Sequence, residues 1–353
     1  MIQITDIARL RLAAHRIADS SFASPAEVVE WMGAVQAQDM KMARWAVGVR
    51  LPESTEASVV AAMERGEILR THVLRPTWHL VPARALGWML MLTAPKIITS
   101  MRSRDRELGL DDALFARSNT IIARALEGGR SLTREQIGVV LTDAGVAVDS
   151  SRLYHFLVRA ELDGVICSGA VKDGEHTYAL LGERVAEAVV LSREEALAKL
   201  AYTYFSSHGP ATMADFVWWS GLGTGEARRG VEAAAFLKDK IDGSEYFIPD
   251  ALATTKAASP PRERLSLLPA FDEYIVAYRD RTPVLRDAHH SRAVSSNGVF
   301  RPVIVEDGVV TGLWRRTTGR KKPVTSEFFD SETSHDTAAA FERAAVRVRE
   351  FFG

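Results

Sequence analysis

Cysteine is nearly absent from this 353-residue chain. Cys167 stands alone, so no disulfide can form within the chain and a cysteine-rich zinc site is excluded. Such usage fits the reducing cytoplasm, where the protein is expected to work. A dominant charge is missing too: 44 basic residues face 45 acidic ones, for a formal net charge of −1. No global field advertises a nucleic-acid partner, although binding depends on where charges sit rather than on their sum. The stretch nearest to a membrane span, Ala85 to Ile98, is interrupted by Lys96 and falls short of the roughly 18 residues required. Met1-Ile2-Gln3-Ile4-Thr5-Asp6 lacks the basic and apolar blocks of a secretory leader, so no membrane association is expected. The chain has no His-Glu-x-x-His, no Walker loop and no serine nucleophile elbow, and neither a metal nor a cofactor is expected. What is present is ordinary for a folded protein: 47% hydrophobic and 25% charged residues. At about 150 residues per domain, the length allows two or three domains.

One pattern recurs three times: helices, then an apolar hairpin with turn residues at its tip. In the first copy Ser24-Pro25-Ala26-Glu27 supplies an N-cap, a proline for the first helical position and an acidic first turn. Val28, Val29, Met32 and Val35 follow at the spacing of one buried helical face. Helices are then predicted around Met42–Val49 and Glu56–Arg65, and strands at Ile68–Val73 and Thr77–Val81. The second copy opens with a capping box, Thr133 and Gln136, before helices at about Arg134–Ala144 and Ser151–Leu162. Its strands, Val165–Val171 and His176–Leu181, flank Lys172-Asp173-Gly174-Glu175, a hairpin signal. In the third copy Thr212 caps Met213–Trp219, Gly221-Leu222-Gly223 breaks the chain, and Glu226–Phe236 is helical again. Leu237–Ile241, Asp242-Gly243 and Tyr246–Ile248 close it. Helix, turn, helix, hairpin is the order of a winged helix.

Past Pro260-Pro261 the texture changes. Leu265–Leu268, Tyr274–Ala277, Val299–Val305 and Val309–Trp314 read as strands of a compact β-rich, barrel-like module, and Asp336–Phe352 as an amphipathic helix. The expected class is therefore α+β: tandem winged helix-turn-helix units with a C-terminal β-rich module. Four segments follow from it: 1–95, the first winged helix; 96–185, the second with linking helices; 186–255, the third; and 256–353, the β-rich module with its helix. Residues 256–322 hold 13 Lys and Arg against 7 Asp and Glu. Positive charge is thus localised there, as a phosphate-binding region requires, with Arg315, Arg316 and Lys321 as candidate contacts. A solvated loop face is the plainer reading of the same charges.

Gly33-Ala34-Val35-Gln36-Ala37-Gln38-Asp39 places two glutamines and an aspartate at the end of an apolar helix. On a continuing helix Gln36 and Gln38 would diverge by about 200°, so they converge only where the helix ends or bends. By spacing alone the segment is a polar helix terminus in which Asp39 caps the next helix. Gly221-Leu222-Gly223-Thr224-Gly225 superficially suggests a dinucleotide loop, but it lies between helices and is read as a turn. His289-His290 lacks a third ligand partner in the sequence pattern. Trp45, Trp78 and Trp88 are assigned to packing, and of Trp218-Trp219 one indole is expected to point inward while its neighbour covers the turn.

Gln36-Ala37-Gln38-Asp39, Ala43-Arg44-Trp45-Ala46 and the run Leu69-Arg70-Thr71-His72-Val73-Leu74-Arg75-Pro76-Thr77-Trp78-His79-Leu80-Val81 resemble the winged-helix DNA glycosylases of the AlkZ/YcaQ type. Gly209-Pro210-Ala211-Thr212, Asp215-Phe216-Val217-Trp218-Trp219-Ser220-Gly221-Leu222 and Leu268-Pro269-Ala270-Phe271-Asp272-Glu273-Tyr274 are also similar. The blocks span about residues 5 to 330. The resemblance implies tandem winged helices and a barrel-like element around a DNA-sized concave surface. It also implies a catalytic signature of glutamine, an apolar residue, then glutamine or aspartate. Gln36-Ala37-Gln38 matches the double-glutamine, AlkZ-like form, so Gln36 and Gln38 become the catalytic candidates, with Asp39 as electrostatic support or as a cap. Arg44, Arg70, His72, Arg75 and His79 are candidates for phosphate contact.

Amides suit the implied chemistry. A purine alkylated at N7 is cationic and already a good leaving group, so no general acid is needed to protonate it. The enzyme must expose the nucleotide and place a water at the anomeric carbon. The expected activity is that of a monofunctional DNA glycosylase, acting without cofactor and as a monomer on double-stranded DNA with bulky N7-alkylpurines, interstrand crosslinks among them. The alternatives are a non-catalytic winged-helix DNA-binding protein or regulator and, more remotely, a hydrolase or drug-sequestering protein on the same scaffold. A regulator usually dimerises on a palindromic site, and no heptad or dimerisation helix is evident.

Overall fold

The computed structural model describes residues 4–17, 20–172, 174–234, 236–249, 264–317, 324–330 and 334–353. Packing divides the chain into two compact units. The first gathers Met1–Val60, Leu197–Trp219 and Gly223–Gly353; the second holds Ala61–Ala196 with Ser220–Leu222. Each combines helices with small antiparallel sheets, which is the expected mixed class at its coarse level.

The first unit is built around a four-stranded antiparallel sheet in the order Val324–Phe328, Val309–Arg316, Val303–Glu306, Leu265–Leu268. Among the described residues its two outer strands do not pair with each other. The barrel-like expectation is corrected accordingly: four strands are too few to curl shut around a filled interior. Glu306 and Val309 close the central hairpin around Asp307-Gly308, where both residues have positive φ, +50° and +88°. That is the type I′ geometry which an Asp-Gly pair announces in sequence. The helix His335–Phe352 packs on Leu265–Leu268 through Ala340, Phe341, Ala344, Ala345, Val348 and Phe351, one face at helical spacing. Its end also meets the helix Met40–Gly48, where a Cβ on Gly48 would sit 2.3 Å from the Phe351 ring. Trp45 on that helix donates its indole N–H to the Leu267 carbonyl at 2.8 Å.

One strand expectation fails. Tyr274–Ala277 was to be extended, but Glu273–Val276 is a short helix whose N-cap Asp272 accepts from the Tyr274 N–H at 2.9 Å. An acidic residue able to cap outweighs the apolar run after it. The strand Val324–Phe328 and the helix Asp287–Ala293 carry no signal read above.

The second unit contains the hairpin Ile68–His72 with Trp78–Pro82, the helices Leu86–Glu107, Asp112–Leu126, Arg134–Asp143 and Ser150–Leu162, and a small sheet with Thr177–Leu180 at its centre. Thr133 and Gln136 form the expected capping box. Lys172 and Glu175 bridge across the second hairpin tip; Asp173 itself lies outside the described residues, as does the Pro260-Pro261 boundary. Phe115, Ile122, Leu126, Ile137, Leu141, Phe156 and Ile166 form its core.

Candidate active site

The glutamine segment begins where a helix is stopped. Ser24 caps Pro25–Met32 by accepting from the Glu27 N–H, and Gly33 ends it at φ +74°. A side chain at Gly33 would be strained there and its Cβ would lie 2.7 Å from Thr203 Cγ2. The chain then runs extended through Val35–Gln36. The helix has therefore ended before the motif, the case in which the two amides escape a 200° divergence. Gln36 is buried, with 5% of its surface exposed, whereas Gln38 and Asp39 face solvent. Asp39 caps Met40–Gly48 by accepting from the Met42 N–H at 3.1 Å.

Directly beneath the motif lies a carboxylate that takes part in no surface pairing. Glu273 is fully buried; one oxygen accepts from the Gln36 backbone N–H at 2.7 Å, and the other from the Trp219 indole at 3.0 Å. His208 Nε2 approaches the second oxygen at 3.7 Å. Neighbouring Asp272 receives both guanidinium nitrogens of Arg50, whose Nε donates to the His15 carbonyl at 3.1 Å. Three blocks distant in sequence, around Gln36, Trp219 and Asp272-Glu273, thus meet at one pair of buried carboxylates.

Further hydrogen bonds lock the histidines of this network. Tyr278 donates its hydroxyl to the His208 carbonyl at 2.6 Å and so accepts from His15 Nε2 at 2.8 Å. His15 Nδ1 is left to accept from Arg50 at 3.1 Å, which makes the ring neutral. Burial, then the charges of His208, Arg50 and Arg11, hold His15 well below its ordinary range. Burial also lowers His208, against the opposing pull of Glu273. Arg11 lies over the Tyr278 ring at 3.7 Å and faces Asp215 at 3.7 Å. Asp215 in turn accepts from the Arg279 and Asp280 N–H groups.

Other candidates are placed elsewhere. Arg44 is half-buried and paired with Glu56 at 2.9 Å. In the second unit Arg70 lies over the Trp78 ring at 4.0 Å, and Arg75 is half-buried at the first hairpin tip. His72 and His79 are buried; His72 Nδ1 sits 2.5 Å from the equally buried Glu161, and His79 Nδ1 3.0 Å from the Thr77 carbonyl. In the first unit Arg315 is 72% exposed beside Glu327, and Arg316 covers the Phe352 ring at 4.4 Å. Arg301 and Arg315 border a surface cavity of about 280 Å³ floored by Pro302, Leu313 and Trp314. Lys321 lies outside the described residues. Trp219 points inward and Trp218 outward, as the paired indoles suggested, and Trp45 and Trp88 are buried. Glu273, Asp272, Arg50, His15 and His208 escaped the residue-level reading because no short spacing links them. The signal on offer was an Asp-Glu pair set in the apolar run Leu268 to Val276 without a basic neighbour.

A family model described as DNA glycosylase AlkZ-like matches residues 29–351. The interstrand DNA cross-link repair glycosylase of Streptomyces sahachiroi is 24% identical over 335 residues, covering 92% of this chain and 90% of that protein. The solved structure of DNA glycosylase AlkZ from the same organism aligns with a TM-score of 0.80 at 22% identity, over 98% of this chain and 97% of that one. The match in structure is one of fold.

Proposed function

The chain belongs to the AlkZ-like DNA glycosylase family, and from that premise we propose that it hydrolyses the N-glycosidic bond of bulky N7-alkylated purines in duplex DNA. Adducts that join the two strands fall within the same class, in keeping with the cross-link repair named for the Streptomyces relative. The attacking water is held by Gln36 and Gln38. The observation that carries this reading is the setting of the pair. Gln36 is enclosed, on extended backbone tied to a buried carboxylate, and Gln38 faces solvent at the bend that follows. A reacting geometry needs such a fixed base.

An amide carbonyl accepts from water and orients it, while its NH₂ group donates to sugar or phosphate. Neutral amides are weak bases, so positioning dominates, and the cationic base leaves without a proton donor. Asp39, engaged as a cap, supports the motif through the helix start. The helix–helix–hairpin units serve as winged-helix modules on the duplex. The exposed Arg315, with Arg316, Arg75, Arg44, Arg70 and Lys321, supplies phosphate contacts. His72 and His79 are enclosed within their own unit and take part only if the hairpin opens.

Incubation with a duplex carrying one N7-methylguanine, followed by cleavage at abasic sites, tests the reading. Abasic sites are expected without added metal or cofactor. Duplex binding with no base release identifies the non-catalytic DNA-binding alternative.

A further inference from the structure

We propose that Glu273 is a positioning residue for the glutamine pair: its buried carboxylate fixes the Gln36 peptide and thereby sets where both amides point. The inference rests on the glycosylase reading for its consequence in rate, but its geometry is independent of that reading. Glu273 has no exposed surface, and its two oxygens serve two different donors, the Gln36 N–H at 2.7 Å and the Trp219 indole at 3.0 Å. Only a carboxylate can accept on both sides; the amide of glutamine would turn a donor toward one of the two.

The clamp is itself rigidly mounted. Glu273 opens the helix Glu273–Val276, whose cap Asp272 is gripped by both nitrogens of the buried Arg50. Trp219 lies in the last turn of the helix Met213–Ser220 with its indole inward, and its ring also borders Gly33, the residue that stops the helix before the motif. The start of the glutamine segment and its first amide thus meet one tryptophan–carboxylate pair. A charged acceptor makes the shorter and stronger kind of hydrogen bond to a backbone N–H. A buried anion costs solvation, and here that cost is offset by two N–H groups that would otherwise be buried without an acceptor. One of the two belongs to the peptide of the proposed catalytic amide, where small displacements are costly in rate.

Three measurements on the wild-type chain, Glu273→Gln and Glu273→Asp test the proposal. They are exchange of the Gln36 amide proton by NMR, single-turnover base release from the N7-methylguanine duplex, and duplex affinity. In the wild type the Gln36 amide is expected to exchange far more slowly than that of solvent-facing Gln38. In Glu273→Gln it should exchange at least about 10-fold faster, with base release down about 100-fold and duplex affinity little changed. Glu273→Asp keeps two accepting oxygens and should recover part of both losses. Wild-type release by Glu273→Gln with the Gln36 amide still protected overturns the proposal. If Glu273→Gln fails to fold, the wild-type amide decides: fast exchange overturns the clamp, protection supports it. A wild-type protein that releases no base refutes the glycosylase reading, and the exchange result still judges the clamp.

Discussion

Arg50 and Asp272 stand 222 positions apart, yet two guanidinium nitrogens meet the two carboxylate oxygens at 2.9 and 2.8 Å with neither side chain exposed. Removing one partner of such a pair strands the other charge in a dry interior. Asp272→Ala should therefore lower unfolding free energy by about 3–5 kcal/mol. Urea denaturation measures it, and a loss under about 1 kcal/mol would mean that water or a neighbour takes over the guanidinium.

If the two glutamines hold one water, as proposed, their effects on base release are non-additive. Gln36→Ala and Gln38→Ala should each slow single-turnover base release by about 30- to 1000-fold. The double variant should fall well short of the product of the two. Gln38→Glu is sharper, since a carboxylate accepts but does not donate: retained release assigns Gln38 an acceptor role toward water, lost release a donor role. Full release by the double alanine variant would return the segment to the role of a polar helix end.

Arg315 and Arg316 belong to the basic stretch and test the proposed phosphate contacts. Replacing both with alanine should weaken binding to all duplexes alike and reduce the slope of log affinity against log salt by about 2. An affinity unchanged at low salt would assign them to local packing, Arg316 against Phe352 and Arg315 beside Glu327.

Two buried histidines set a pH dependence of stability. His15 and His208 are both held below their ordinary value in the folded chain, chiefly by burial. The unfolded chain binds protons first as pH falls below about 6.5, so the stabilising neutral forms count fully above that value. Stability should decline on acidification, by up to about 1.4 kcal/mol per pH unit for each histidine. His15→Gln should flatten the curve between about pH 6.5 and 5. A variant whose pH profile matches the wild type would show that His15 takes up a proton in the folded state as easily as in the unfolded one.

Local structure was legible at several places where a local rule decides it. The caps at Ser24, Thr133 and Asp39 and the Asp-Gly turns of the hairpins sit within four residues of the groups they satisfy. The helix end before Gln36 was legible as one of two options, and Gly33 made the choice through its left-handed backbone. The sheet count and the buried carboxylate pair beneath the motif were not legible. Glu273 reads as an ordinary acidic residue after Asp272, and only the return of the chain to Gln36 and Trp219 gives it two donors. The short helix at Glu273–Val276 reads as a strand because its apolar side chains are buried in either state, so their pattern does not distinguish the two. His72 and His79 read as surface groups on a hairpin, but inward-facing strand positions enclose them.

The first unit is stitched from stretches that a ribosome releases at widely separated times. Residues 61–196 emerge as one contiguous piece with a hydrophobic core of their own, so that piece can settle early. The glutamines emerge before it and Glu273 after it; at about 5–20 residues per second the wait is roughly 10–50 s. The Ala8 carbonyl, which accepts from the Tyr274 hydroxyl 266 positions later, has a similar wait. A nascent chain halted after the second unit would carry both glutamines and no seat for them. Any reactivity of the finished centre is therefore withheld until the last third of the protein has been made.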